Sequence, residues 1–175
     1  FPGAADTDKA VVLTNGHCIG TMPEPSTFVY DKAVTRSATV LGGSDAHTVT
    51  KLTLDRLQYA TMTGTDVAVY RSTSTYAQLA AKNVTARPLA ATHPSDEASI
   101  DIPSGYWKQH YGCAINGFVY QLKEGGYTMN DSIRYSTCQT PHGSSGSPIV
   151  DATSGTVIGI NNTGNDDGER CTLDN

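Results

Sequence analysis

Short apolar runs, alternating or rich in β-branched residues and cut off by Gly, Pro, Asn or Ser, recur along most of this chain. They are Ala10–Thr14, Val34–Leu41, Thr48–Leu54, Val67–Tyr70, Gly117–Gln121, Ile133–Ser136 and Thr156–Ile160. Runs of that length between turn residues predict an all-β barrel or sandwich, because period-two patterning buries one face of a strand and wets the other. One helical segment is expected, Thr75–Lys82 (TYAQLAAK), with Ser and Thr before it as caps. A length of 175 residues suits one domain, or two small subdomains sharing an interface. The stretch Ala90–Ser104, with His93-Pro94-Ser95-Asp96-Glu97 and Pro103, is the expected crossing between two halves, residues 1–97 and 98–175.

Composition narrows the function classes. At 38% hydrophobic and 17% charged, the chain falls among ordinary globular proteins. A net charge of -5 supplies no basic stripe for a phosphate backbone, so nucleic acid is not an expected partner. No apolar run approaches the roughly 18 residues of a membrane-spanning helix, and no membrane partner is expected. Residues 1–10 lack the charged-then-apolar pattern of a leader. The four cysteines, Cys18, Cys113, Cys138 and Cys171, show no CxxC-type spacing, which speaks against a zinc knuckle and leaves disulfides or buried thiols.

Three turns carry reactive side chains. Gly143-Ser144-Ser145-Gly146-Ser147-Pro148 flanks serines with glycines, so the backbone can turn sharply, expose a hydroxyl and aim successive N–H groups at one point. A flexible Gly/Ser linker would have the same letters. Val12-Leu13-Thr14-Asn15-Gly16-His17-Cys18 ends an apolar strand at Asn-Gly and presents an imidazole at a cleft rim, where it can act as general base or simply be structural. Gly64-Thr65-Asp66-Val67-Ala68-Val69-Tyr70 sets an aspartate at the mouth of a strand, the usual place of a solvated turn residue too. Each is ambiguous alone. Together they supply the nucleophile, base and orienting carboxylate that acyl transfer by serine requires. Their order, His then Asp then Ser, is the one found in chymotrypsin and not in subtilisin or the α/β-hydrolases.

At these residues the chain resembles the chymotrypsin/trypsin-like serine protease superfamily. LTNGHC is similar to its LTAAHC motif, TDVAVY to its D-I-A-L segment and GSSGSP to its GDSGGP motif, over roughly Val11 to Cys171. The lettering is nearer to bacterial secreted members, including the glutamyl endopeptidase group with GNSGSP. The resemblance implies an all-β fold of two six-stranded antiparallel Greek-key barrels. His17 would be general base and then acid, Asp66 would hold its tautomer, and Ser145 would be the nucleophile. The Gly143 and Ser145 N–H groups would form the oxyanion hole. Ser144 stands where animal members have the aspartate that pairs with a new N-terminal amine, so that activation switch is not expected.

The resemblance also builds the substrate pocket from residues around Gln139, Thr140 and His142 and from Asn161, Asn162 and Gly164. Gln139 replaces the aspartate of trypsin-like members, leaving a basic side chain without its counter-charge. Thr140 suits the glutamyl group, but Asn161 stands where that group has histidine, so a glutamate preference would need His142 as substitute. A Cys138–Cys171 disulfide beside the pocket is implied, and its loop would contribute about 3 to 4 kcal/mol in the chain-entropy model. Cys18 has no upstream cysteine, and the comparison implies barrels incomplete at both chain ends; Cys113 is left unassigned. The expectation is a secreted, extracellular, monomeric endopeptidase acting on a protein or peptide substrate, with no cofactor and no metal. An esterase with the same triad and a catalytically silent extracellular binding module are the alternatives.

Overall fold

A computed structural model describes residues 3–164. The strands are β1 (Lys9–Thr14), β2 (Phe28–Gly42), β3 (His47–Thr61), β4 (Val67–Thr75), β5 (Ser99–Ser104), β6 (Gln109–Glu124), β7 (Tyr127–Tyr135), β8 (Pro148–Asp151) and β9 (Val157–Ile160). They form two antiparallel sheets, β1-β4-β3-β2 and β7-β6-β5-β8-β9. The all-β expectation holds. Among the described residues the sheets have four and five strands where six each were expected.

Two of these strands are long and irregular. β6 pairs with β5 through residues 109–114 and with β7 through 115–124, so one strand serves both sides of a barrel corner. The register slips between Ile115 and Gly117, and Gly117 takes a φ of 137°, a conformation that costs glycine least. β3 behaves alike. Its register to β4 shifts between Leu54 and Arg56 and again between Leu57 and Tyr59. Its buried apolar residues accordingly run Leu52, Leu54, Leu57, Ala60, stepping by three at each irregularity. Strict alternation breaks there, so the expected run stops at Leu54 although the strand continues to Thr61.

The predicted helix is present as α1 (Tyr76–Ala80), capped by Thr75. Thr75 Oγ1 accepts from the Gln78 N–H at 3.2 Å, and Gln78 Oε1 accepts from the Thr75 N–H at 2.9 Å, a reciprocal box that satisfies two otherwise orphaned donors. The expected crossing, Ala90–Ser104, is partly corrected. Residues 99–104 are β5, the strand that joins β6 to β8. Pro103 suggested a break, but β8 pairs only with Ile100 and Asp101. Beyond that point β5 has a single neighbour, and a missing N–H is tolerated.

Each sheet closes on its own core. The first holds Ala10, Leu52, Leu54, Leu57, Ala60, Ala68, Tyr70 and Leu79. The second holds Ile100, Ile102, Cys113, Ile115 and Ile149. A disulfide links Cys113 to Cys138, with Cα atoms 5.2 Å apart. The implied Cys138–Cys171 pairing is therefore corrected, and Cys171 lies outside the described residues. The ladder explains the pairing: Ile115 faces Tyr135 where β6 meets β7, so Cys113 and Cys138 meet just past its end. The two halves are joined at several places, among them a loop where the Gly64 N–H donates to Thr128 O at 3.0 Å and the Asn130 N–H donates to Gly64 O at 2.8 Å, and the pairing of Pro88 and Ala90 with Val157 at 2.9 Å. Tyr127 adds a hydroxyl donation to Pro23 O at 3.1 Å.

Candidate active site

β1 ends at Thr14, and the chain turns through Gly16–Ile19 as a single 3₁₀ turn. Gly16 is packed so tightly that a Cβ there would overlap Thr61 O, which leaves glycine as the residue that fits. Asn15 is fully buried, and its Nδ2 donates to Asp66 O at 3.1 Å. That bond ties the turn carrying the histidine to the turn carrying the aspartate, although 51 residues separate them.

Asp66 then grips His17 twice. Its Oδ1 accepts from the His17 backbone N–H at 3.0 Å and its Oδ2 from Nδ1 at 2.6 Å. The carboxylate side chain is 1% exposed and the imidazole 27%. A carboxylate can only accept, so Nδ1 carries the proton and Nε2 is left to accept another. The same contact favours the charged ring. The His17 pKa is pushed up to about 10 from an ordinary 6.5, first by the Asp66 hydrogen bond and then by the Cys18 side chain, with burial opposing. Cys18, a free thiol among the described residues and half-buried, is shifted down in return, chiefly by its hydrogen bond to His17.

The serine turn lies against the end of β1. Gly146 approaches so closely that a Cβ would overlap Thr14 Oγ1, and its φ of 81° independently favours glycine. Its N–H donates to Asn161 O at 2.9 Å, and the Asn161 N–H donates back to Ser147 O at 2.8 Å. Ser144 is buried, its hydroxyl donating to Pro141 O at 2.6 Å. Asn161 Nδ2 donates to Ser144 Oγ at 3.0 Å, so the position expected to lack a charge is occupied by a neutral, fully bonded serine. Tyr135 completes the latch, donating its hydroxyl to Asn161 Oδ1 and lying 2.8 Å from Thr140 Oγ1.

Ser145 sits half-buried at the apex, with its hydroxyl donating to Asn162 O at 3.1 Å. Neither its N–H nor that of Gly143 has an acceptor among the described residues. Thr140, His142, Asn161, Asn162 and Gly164 border a recess beside Ser145, which has no carboxylate in its described lining. Gln139 does not join them: it is exposed and does not border that recess. A second, larger cavity of about 370 Å³ lies behind Asp66, between β7 and β9.

Two contributors were invisible in the sequence. Asn15 read only as a strand breaker, and Tyr135 only as a strand aromatic, because the partners of both are distant in the chain.

A family model described as a trypsin-like peptidase domain matches residues 4–160, a span that contains His17, Asp66 and Ser145. A search of curated proteins returns no match.

Proposed function

The chain belongs to the trypsin-like peptidase domain family, and on that premise we propose that it is a serine endopeptidase working through His17, Asp66 and Ser145. The observation that carries this proposal is the double grip of Asp66 on the His17 backbone and ring, which leaves Nε2 as the acceptor. In the proposed reaction Nε2 takes the Ser145 hydroxyl proton as Oγ attacks the scissile carbonyl. The hydroxyl leaves its resting acceptor, Asn162 O, to do so. The carbonyl π electrons move onto oxygen, and the Gly143 and Ser145 N–H groups receive the oxyanion. The imidazolium then protonates the leaving amine as the C–N bond breaks, and water repeats the sequence to release the acid from the acyl-enzyme.

Donors with no other acceptor are what an oxyanion needs, and losing one in comparable sites costs about 3 to 4 kcal/mol of transition-state stabilisation. The recess beside Ser145, which has no carboxylate in its described lining, would take the side chain of the acylated residue, through Thr140, His142, Asn161, Asn162 and Gly164. The same proposal expects a monomeric, secreted enzyme acting on peptide or protein substrates without a cofactor. The Cys113–Cys138 disulfide supports an oxidising, extracellular compartment.

A fluorophosphonate probe tests the assignment. The wild-type chain should be labelled at Ser145 and the Ser145→Ala variant should not be. Labelling that survives in Ser145→Ala, or its absence in the folded wild type, would overturn the proposal.

A further inference from the structure

The four-residue turn between β5 and β6, residues 105–108, carries two adjacent aromatic side chains that the chemistry above does not use. Tyr106 is 74% exposed and Trp107 46%, an arrangement that leaves large apolar faces in water. Their rings meet edge to face with centroids 5.1 Å apart. They do not lie on open surface. A Cβ on Gly143 would sit 2.9 Å from Tyr106 Cδ1 and 3.5 Å from Trp107 Nε1, so the pair leans directly on one of the two oxyanion donors. Trp107 Nε1 donates to His142 O at 2.8 Å, fastening the aromatic turn to the residue before Gly143. Gly143 itself has a φ of 87°, so both its backbone shape and its neighbour exclude a side chain.

From this contact we infer that Tyr106 and Trp107 form a subsite for an aromatic or large aliphatic side chain on the leaving-group side of the scissile bond. The inference rests on the serine endopeptidase proposal. A substrate carbonyl held by the Gly143 and Ser145 N–H groups has its own residue's side chain in the recess that includes Thr140 and Asn161. Neither aromatic residue borders that recess. On this inference the residue across the scissile bond meets the exposed rings beside Gly143, which lie outside that recess. Burying an exposed aromatic face against an apolar side chain is favourable and sequence-selective. The Trp107–His142 bond fixes the rings relative to the oxyanion turn, so the contact forms with little ordering of the enzyme.

The test uses a peptide series with a constant acylated residue and Gly, Ala, Leu or Phe following it. Wild type should cleave the Phe and Leu peptides with kcat/KM about threefold to tenfold above the Gly peptide, the range an aromatic contact commands. In Tyr106→Ala and in Trp107→Ala that ratio should fall towards one. Tyr120→Ala, which removes a 90% exposed ring elsewhere on β6, should leave it unchanged. A flat wild-type series, or a ratio retained in both aromatic variants, would overturn the inference. Should both variants misfold, competing amine nucleophiles offered to the wild-type acyl-enzyme decide. Phenylalanine amide should capture the acyl group ahead of glycine amide, and equal capture would overturn the subsite. Fluorophosphonate labelling of wild type, which requires no leaving-side residue, separates failure of the subsite from failure of the endopeptidase proposal.

Discussion

At the scale of single residues, Asp66 decides both the tautomer of His17 and the pH at which the ring loses its charge. The His17 pKa in the folded chain exceeds its unfolded value, so the ion pair stabilises the fold fully below pH 6.5 and progressively less as pH rises toward about 10. On the proposed mechanism activity runs the other way, because only the neutral ring could accept the Ser145 proton. Wild-type kcat/KM should therefore climb between pH 6.5 and about 10. Asp66→Asn should move that limb down toward 6.5 and lower kcat by about 10⁴, the loss expected when the ring takes the wrong tautomer. A pH–rate profile of both proteins checks this, and an unmoved limb would separate Asp66 from the titration. The stability advantage of wild type over Asp66→Asn should also shrink across the same window in urea titrations. His17, Asp66 and Ser145 stood out as candidates because each ends or begins an apolar run at a Gly-containing turn, and the structure ties His17 to Asp66 as that reading expected. Asn15 and Tyr135 were not, since a buried hydrogen bond between distant segments leaves no local pattern.

Among the secondary-structure elements, α1 and most strands follow from period and capping, and the departures have one cause. Where a strand bends around a barrel the inward phase changes, so β3 and β6 extend well past the runs that announced them. β5 was hidden by its neighbouring prolines and acidic residues, yet it is the middle of the second sheet. Ile100 and Ile102 on it are among the most completely buried side chains, with Ile102 at 0% exposure. Ile102→Ala should cost about 2 to 5 kcal/mol, the range for deleting a buried branched side chain. Equilibrium denaturation would measure it, and a loss under about 1 kcal/mol would mean that β5 does not hold the core together. The cysteine pairing shows the same limit of sequence reasoning. The family resemblance implied Cys171 for Cys138, whereas the β6–β7 ladder delivers Cys113.

For the molecule as a whole, two separate cores mean that the reactive groups come from different halves. His17 and Asp66 belong to the first sheet's turns and Ser145 to the loop before β8. The join includes the paired hydrogen bonds of Gly64 with Thr128 and Asn130. Gly64 has a φ of 74°, which a β-branched residue adopts only at a cost of about 1 to 2 kcal/mol. A Cβ there has room, 3.5 Å from Asn130 Nδ2, so the strain is in the backbone alone. Gly64→Val should lower kcat/KM more than tenfold while shifting stability by only about 2 kcal/mol. Thermal melts with parallel kinetics would show it, and unchanged turnover would mean the join does not position Asp66.

Gly64 lies two residues before the aspartate it helps to seat, which makes the seam between the halves a mooring for the chemistry as well as for the fold. On the endopeptidase proposal, mild denaturant or mechanical load that opens this seam should cost activity while circular dichroism still looks native.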